Sequence, residues 1–374
     1  MNKDLIIDAG KTGVEIALLE DKRLVELHQG NSESTHLVGD IYLGQVKKLL
    51  PGLNAAFIDV GSKKDGFLHY LDLGLYYKAL EKFTKICMSG GGDSMDFAKL
   101  KEPKLEKSGK IVETLKQGQV ILVQVSKEAI STKGPRLCTE ISFAGRYLVL
   151  VPFSEKVSVS QKIKSAEERN RLRKLIKSIK PDNFGIIIRT IAEVKSVAEL
   201  DAYLKDLLSK WESIKKKLPK ALPPTKLVSE LDKSSVILRD MLTEEFNNVY
   251  VNDADLYEEL KGYISSICPE KEDILHLYKM QTPIFEQFGV ASQIRNSFGK
   301  VVTIRSGIYL IIEQTEAMHV IDVNSGHRSK SSQDQEENAL IVNCEAAVEI
   351  ARQMRLRDLG GIIVIDFIDL NVAA

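Results

Sequence analysis

The chain has 374 residues, 44% apolar and 28% charged, which describes a globular protein of two or three domains. Its 52 basic residues balance 52 acidic ones, so net charge excludes a protein that binds nucleic acid by overall attraction alone. Four scattered cysteines, Cys87, Cys138, Cys268 and Cys344, argue against a disulfide framework or a structural zinc. No apolar run is long enough for a signal peptide or a membrane span, so a reducing cytoplasmic setting is expected.

In chain order, residues 5–8 and 14–19 are apolar runs around Gly10-Lys11-Thr12-Gly13 and predict a β-hairpin, with 24–27 as a third strand. This set is too small to stand alone and needs a partner later in the chain. Residues 41–46, 55–60 and 66–69 alternate as strands, with turns at Pro51-Gly52 and Gly61-Ser62. Residues 119–125 close the set, and a five-stranded barrel fits. The stretch from 74 to 115 contains Ser89-Gly90-Gly91-Gly92-Asp93-Ser94 and predicts a mobile surface insertion.

Further on, 142–151 predicts a strand, 166–179 a helix, 184–189 a buried strand and 196–217 a long amphipathic helix. Pro219, Pro223 and Pro224 break the chain. Residues 234–241 read as helix or strand-to-helix, 249–252 as strand and 254–265 as helix. The last region opens at 284–288. It adds strands at 301–304, 308–312 and 319–322, a long helix at 337–355 and an apolar strand at 361–367, an α/β pattern.

Charge is segregated. From Lys127 to Arg189 there are fourteen Lys/Arg against six Asp/Glu, which leaves the remainder acidic. A basic face beside an acidic centre suits a metal-dependent nuclease, although the run from 169 to 177 also reads as the solvated face of a helix.

Three motifs carry chemistry. In Val320-Ile321-Asp322-Val323-Asn324 and Ile363-Val364-Ile365-Asp366-Phe367, an Asp follows a β-branched run. Two such strands in one sheet would join two hard-oxygen ligands suited to Mg²⁺, while an Asp at a strand end also caps a turn. Tyr42, Phe57, Phe67 and His69 lie on barrel strands, where exposed aromatics stack on bases, and where Phe57 and Phe67 could equally be core. Arg189-Thr190 ends a strand with a guanidinium and a hydroxyl, an anion site or a purely structural pair.

These segments together resemble the ribonuclease E/G family. The matches are Gly39-Asp-Ile-Tyr-x-Gly, Ala55-Ala-Phe-x-Asp-x-Gly, Gly66-Phe-Leu, Gly145-x-Tyr-Leu-Val-Leu, Ile188-Arg-Thr and Ile321-Asp-x-Asn-Ser. The longest run opens at Glu345 (Glu-Ala-Ala-x-Glu-Ile-Ala-Arg-Gln-x-Arg-Leu-Arg-Asp-Leu-Gly-Gly) and ends in Ile363-Val-Ile-Asp-Phe-Ile-Asp. The resemblance implies an α+β multidomain fold. An RNase H-like subdomain would comprise 1–35 with 215–280, and an S1 RNA-binding barrel 36–125 with its insertion at about 74–115. A 5′-end sensor would follow at 126–214 and an incomplete DNase I-like catalytic subdomain at 281–374.

It also implies an endoribonuclease that hydrolyses single-stranded, A/U-rich RNA with Mg²⁺-activated water and leaves a 5′-phosphate, in rRNA and tRNA processing and mRNA decay. Asp322 and Asp366 would bind the metal, supported by Asn324, with Glu316 nearby. Phe57, Phe67, Lys127 and Lys133 would contact RNA. Arg189, Thr190, Gly145, Val149 and Lys162 would form the pocket for a 5′-monophosphate. Gln161 departs from the family's Ser-Arg-Arg-Ile run, which costs a guanidinium that Lys162 replaces only as a point charge. The family continues past this chain's end into a zinc link and a dimerisation domain. The resemblance therefore implies homodimers or tetramers for a longer protein, and a zinc-free, monomeric and weakly active fragment here. A non-catalytic RNA-binding fragment is the alternative.

Overall fold

Residues 2–10, 13–31, 36–129, 133–229, 246–267, 269–304, 307–326 and 335–370 are described by the structure, a computed structural model. Contacts divide the chain into two units, residues 1–32 with 242–374, and residues 33–241. The stretch 234–241, read as helix or strand-to-helix, lies outside the described residues. Among the described residues no helix is long and apolar enough to cross a membrane.

In the first unit the N-terminal strands Lys3–Gly10, Gly13–Glu20 and Arg23–Asn31 form an antiparallel meander. Their partners come from far along the chain. Phe246–Val251 runs parallel to the first strand, and Leu275–Leu277 continues the sheet. Two asparagines fix this register: Asn248 Nδ2 donates to Asp4 at 2.8 Å and Asn252 Nδ2 to Asp8 at 2.7 Å.

A second, four-stranded sheet has the order Val301–Thr303, Tyr309–Gln314, Met318–Asn324, Ile362–Asp366. The first three strands are antiparallel. The last is parallel to the third, reached through the helix Gln335–Leu356. That helix buries Val342, Ala346 and Ile350 against Leu310, Ile312, Ile321 and Val323. Alternation then leaves the opposite face to Ile311, Asp322, Asn324 and Asp366.

In the second unit a closed five-stranded barrel runs Ile41–Leu50, Ala55–Asp59, Gly66–His69, Arg136–Cys138, Val120–Lys127 and back to the first strand. Its fifth strand lies beyond the boundary drawn at 125. Three residues long, with only Leu137 buried, it is too short to show a period. Thr225–Val228 pairs with Ile41–Leu50, so this stretch sits with the barrel and not with the N-terminal strands to which 215–280 was assigned. Tyr42, read as a surface aromatic, is 3% exposed in the barrel core.

A four-stranded sheet follows, ordered Val157–Val159, Phe184–Ile188, Leu148–Pro152, Phe143–Ala144. The single strand expected at 142–151 is broken in two by the turn at 145–147. The helices Ala166–Ile179 and Val197–Lys217 belong to the same unit. The second starts at a capping box in which Ser196 and Glu199 exchange hydrogen bonds.

The expected mobile insertion is a correction. Tyr77–Met88 is a helix whose Leu80, Phe83 and Cys87 are buried, and Phe83 stacks on Trp211 with ring centroids 4.5 Å apart. Apolar spacing of three and four residues made this helix. The glycines 90–92 only end it, with Gly90 at φ +83°.

Candidate functional site

The acid pair sits on the second sheet of the first unit. Asp322 and Asp366 are register partners on neighbouring parallel strands, and the row continues through Ile311 to Val301. Adjacent strands lie roughly 5 Å apart, so two carboxylates leave the sheet side by side on its open face. Asp322 is half-buried and Asp366 exposed. Asn324, two residues on and on the same face, donates from Nδ2 to Asp322 Oδ2 at 2.7 Å and fixes that carboxylate. Gly326 has φ +57°, and a Cβ there would meet the Gly307 carbonyl at 2.1 Å, so the turn after Asn324 needs glycine.

Among the described residues no cluster of three or more His, Cys, Asp or Glu could hold a metal ion. Glu316, expected near the pair, stands in the turn before Met318–Asn324, roughly 20 Å along the chain from Asp322 at strand rise, and is not brought to it.

The barrel face lies in the second unit. Phe57 and Phe67 are cross-strand partners, half-buried, with rings edge to face at 6.1 Å between centroids. Their outward side follows from alternation with the buried Ala56, Ile58 and Leu68. Register extends the row on both sides, giving Lys48, Phe57, Phe67, Arg136 and Lys127 in one line across four strand pairings. Lys48, Arg136 and Lys127 are exposed.

Beside this row is a groove of about 730 Å³ lined by Leu53, Phe57, Lys64, Phe67, Lys133 and Arg136, among others. Gly134 in its wall packs so closely that a Cβ would meet the Asp65 carbonyl at 2.1 Å. Lys48, Lys64 and Arg136 were missed from the sequence. Bulges at Val46/Lys48 and Val125/Lys127 shift the register that a plain period of two would assign. His69 caps the next turn instead, its Nδ1 accepting from the Leu71 N–H.

The third group surrounds Arg189. Its Nη1 donates to the Gly145 carbonyl at 3.0 Å, and the Ser160 and Thr190 hydroxyls are 2.9 Å apart. Ser160 also accepts from the Lys162 N–H at 3.3 Å, which ties Lys162 to Thr190 through one hydroxyl, while the Lys162 side chain is exposed. Val149 is half-buried and pairs with Ile187, two residues before Arg189. At Gly145 a Cβ would stand 3.0 Å from the Leu148 carbonyl, a tight contact in this turn. The structure adds two further cations: Arg146 and Lys195 each lie 5.4 Å from the Tyr147 ring centroid.

Residues 142–374 match the model of the ribonuclease E/G family. Ribonuclease G of Escherichia coli K12 is 36% identical over 378 residues, covering 99% of this chain and 72% of that protein. The chain belongs to the ribonuclease E/G family.

Relatives named ribonuclease E align over much the same length. The protein of Nostoc is 39% identical over 341 residues, 90% of this chain and 46% of its own. That of Haemophilus influenzae is 35% identical over 373 residues, 99% and 37% respectively. The family match spans the acid pair and the Arg189 group. The barrel precedes it and falls within the full-length relatives' alignment.

Proposed function

We infer that this protein is an endoribonuclease that hydrolyses phosphodiester bonds in single-stranded, A/U-rich RNA in the cytoplasm, in rRNA and tRNA processing and mRNA decay. The observation that carries the reading is the side-by-side register of Asp322 and Asp366 in a chain of this family. Two adjacent carboxylates repel unless a cation lies between them, and a hard-oxygen pair open to solvent fits Mg²⁺, which keeps several of its waters. Asp322 and Asp366 would hold the ion. When bound, it supplies an activated water and neutralises charge on the scissile phosphate.

The chain's own groups do the rest. Asn324 holds Asp322 in one rotamer, so the oxygen donors need no reorganisation when the substrate arrives. Phe57 and Phe67 offer ring faces and edges to unstacked bases, and Lys48, Lys64, Lys127 and Lys133 follow the phosphates. Arg189, with Thr190, Gly145, Val149 and Lys162, would take a 5′-monophosphate. Arg146 and Lys195 stand against the Tyr147 ring, and the Tyr147 carbonyl accepts from the Arg189 N–H at 2.9 Å.

The test is cleavage of a short fluorescent A/U-rich RNA bearing a 5′-monophosphate or a 5′-hydroxyl, with and without Mg²⁺. Metal-dependent internal cutting is expected, faster on the monophosphate. Asp322→Asn and Asp366→Asn should each lower it by more than about 100-fold, beyond the effect of losing an outer-shell partner. An unchanged rate in Asp322→Asn defeats the assignment. RNA binding without cutting selects a non-catalytic RNA-binding role.

A further inference from the structure

The helix Gln335–Leu356 does more than cover one face of its sheet. Asn343, half-buried and next to the fully buried Val342, reaches the chain just past the last strand. Its Nδ2 donates to the Ile368 carbonyl at 2.8 Å, and its Oδ1 accepts from the Ile368 N–H at 3.0 Å. One side-chain amide thus satisfies both backbone groups of one residue, as a neighbouring strand would. The place matters because, among the described residues, Ile362–Asp366 is an edge strand paired on one side only, and Ile368 lies two residues beyond Asp366.

The helix that carries Asn343 is itself anchored. Ala346 and Ile350 are buried in the sheet core. A turn later Arg352 donates to the Leu24 carbonyl at 2.6 Å, and Arg23 bonds Glu349 at 2.6 Å. A slip of the chain at 368 would move Asp366 against Asp322. Asn343 ties that point to the rigid helix.

We propose that Asn343 is a positioning residue that holds Asp366 in register with Asp322, so that the two carboxylates present a preformed site for one divalent cation. The proposal rests on the reading of those two aspartates as cation ligands. Asn343 touches neither the ion nor the RNA; it acts through the backbone at Ile368. Loss of such an outer partner lowers metal affinity by about 10- to 100-fold. The expected signature is therefore a raised cation requirement with unchanged affinity for RNA.

The experiment uses the full chain and Mn²⁺ as a paramagnetic probe. Binding is measured without RNA for the unaltered protein, Asn343→Leu, Asn343→Asp and Asp322→Asn, alongside amide hydrogen exchange of residues 364–370. In the unaltered protein the Ile368 amide should be protected. Asn343→Leu, close in size and unable to bond, should expose it and weaken Mn²⁺ by about 10-fold or more. Asn343→Asp keeps the acceptor for the Ile368 N–H and loses the donor to its carbonyl, so it should fall between. RNA affinity measured in EDTA should be the same for the unaltered protein and Asn343→Leu.

An unprotected Ile368 amide in the unaltered protein overturns the proposal whether or not any variant folds. So does Asn343→Leu with Mn²⁺ affinity within about twofold. If Asp322→Asn leaves Mn²⁺ binding intact, the ligand assignment fails. If it abolishes binding and Asn343→Leu does not weaken it, only the positioning role fails.

Discussion

Asp40 and Lys226 form an ion pair of 2.7 Å in which the aspartate side chain is fully buried and the lysine side chain about one-third exposed. The same carboxylate oxygen accepts from the Leu37 N–H at 3.1 Å and the Tyr42 hydroxyl at 3.3 Å. Lys226 also lies over the Tyr42 ring, 5.5 Å from its centroid. One buried charge thus joins the turn into the barrel's first strand to the late strand Thr225–Val228. The Gly39-Asp-Ile-Tyr motif is structural at this point.

Removing one partner leaves the other charge, or its bonded donors, uncompensated. Lys226→Ala strands a buried carboxylate and should destabilise the barrel unit by about 3–5 kcal/mol. Replacing both partners together should cost less than the sum, because the orphaned charge disappears with its partner. Urea unfolding of the single and double variants measures the coupling. Additive losses would show that the pair contributes nothing as a pair.

Phe83 is fully buried and stacked on Trp211. Phe83→Ala should cost about 3–5 kcal/mol, the range for an aromatic lost from a packed core. Limited proteolysis should leave 77–88 intact in the unaltered protein and cut it in the variant. Early cleavage there in both would restore the mobile insertion that the glycine run suggests.

The acid pair was legible because β-branched runs mark buried strands, and each run ends in an Asp at the point where the sheet meets solvent. Asn324 was legible too, since two residues on is the same face. What failed to show was register. The line Lys48, Phe57, Phe67, Arg136, Lys127 depends on two bulges and on the three-residue strand Arg136–Cys138. None of these changes composition or period. The helix Tyr77–Met88 was readable, with Tyr77, Leu80, Thr84 and Cys87 at helical spacing; the glycines after it drew the reading away. Tyr42 failed for another reason, because a phenol is placed by the partner that its hydroxyl finds, and Asp40 is that partner.

On the barrel face, Phe57→Ala and Phe67→Ala should each weaken binding of a short single-stranded RNA by about 1–3 kcal/mol and leave the barrel folded, since neither ring belongs to its core. Lys48→Ala and Lys127→Ala should instead lower the salt dependence, each by about 0.7 in the log–log slope. Fluorescence anisotropy across a salt series separates the two effects. Arg136 is the poorer choice, because its guanidinium also bonds Asp72 at 2.9 Å. Equal salt slopes for all four variants would remove the lysines from the RNA path.

The last prediction concerns acid. Glu349 is 3% exposed on the helix that carries Asn343. Burial pushes its carboxyl up, but the bonds from Arg352 at 2.5 Å and Gln353 at 3.0 Å, with the nearby Arg23 charge, outweigh that and hold it below the usual carboxylate range. A depressed folded value means that the unfolded chain takes up the proton first as pH falls. The contribution of Glu349 is therefore complete above the unfolded value, about 4.3, and is lost as pH falls through the lower folded value.

Glu349→Gln removes this proton uptake. At neutral pH it should cost about 3 kcal/mol, because Arg352 keeps only neutral partners in a buried setting. Below about pH 4.3 the gap between the two proteins should narrow, so the variant's stability falls less steeply with acid. Urea unfolding of the first unit at intervals from pH 7 to pH 3 gives both curves. Parallel curves through that window would mean that Glu349 titrates alike in the folded and unfolded chains, and that the Arg23–Glu349–Arg352 network does not hold its charge.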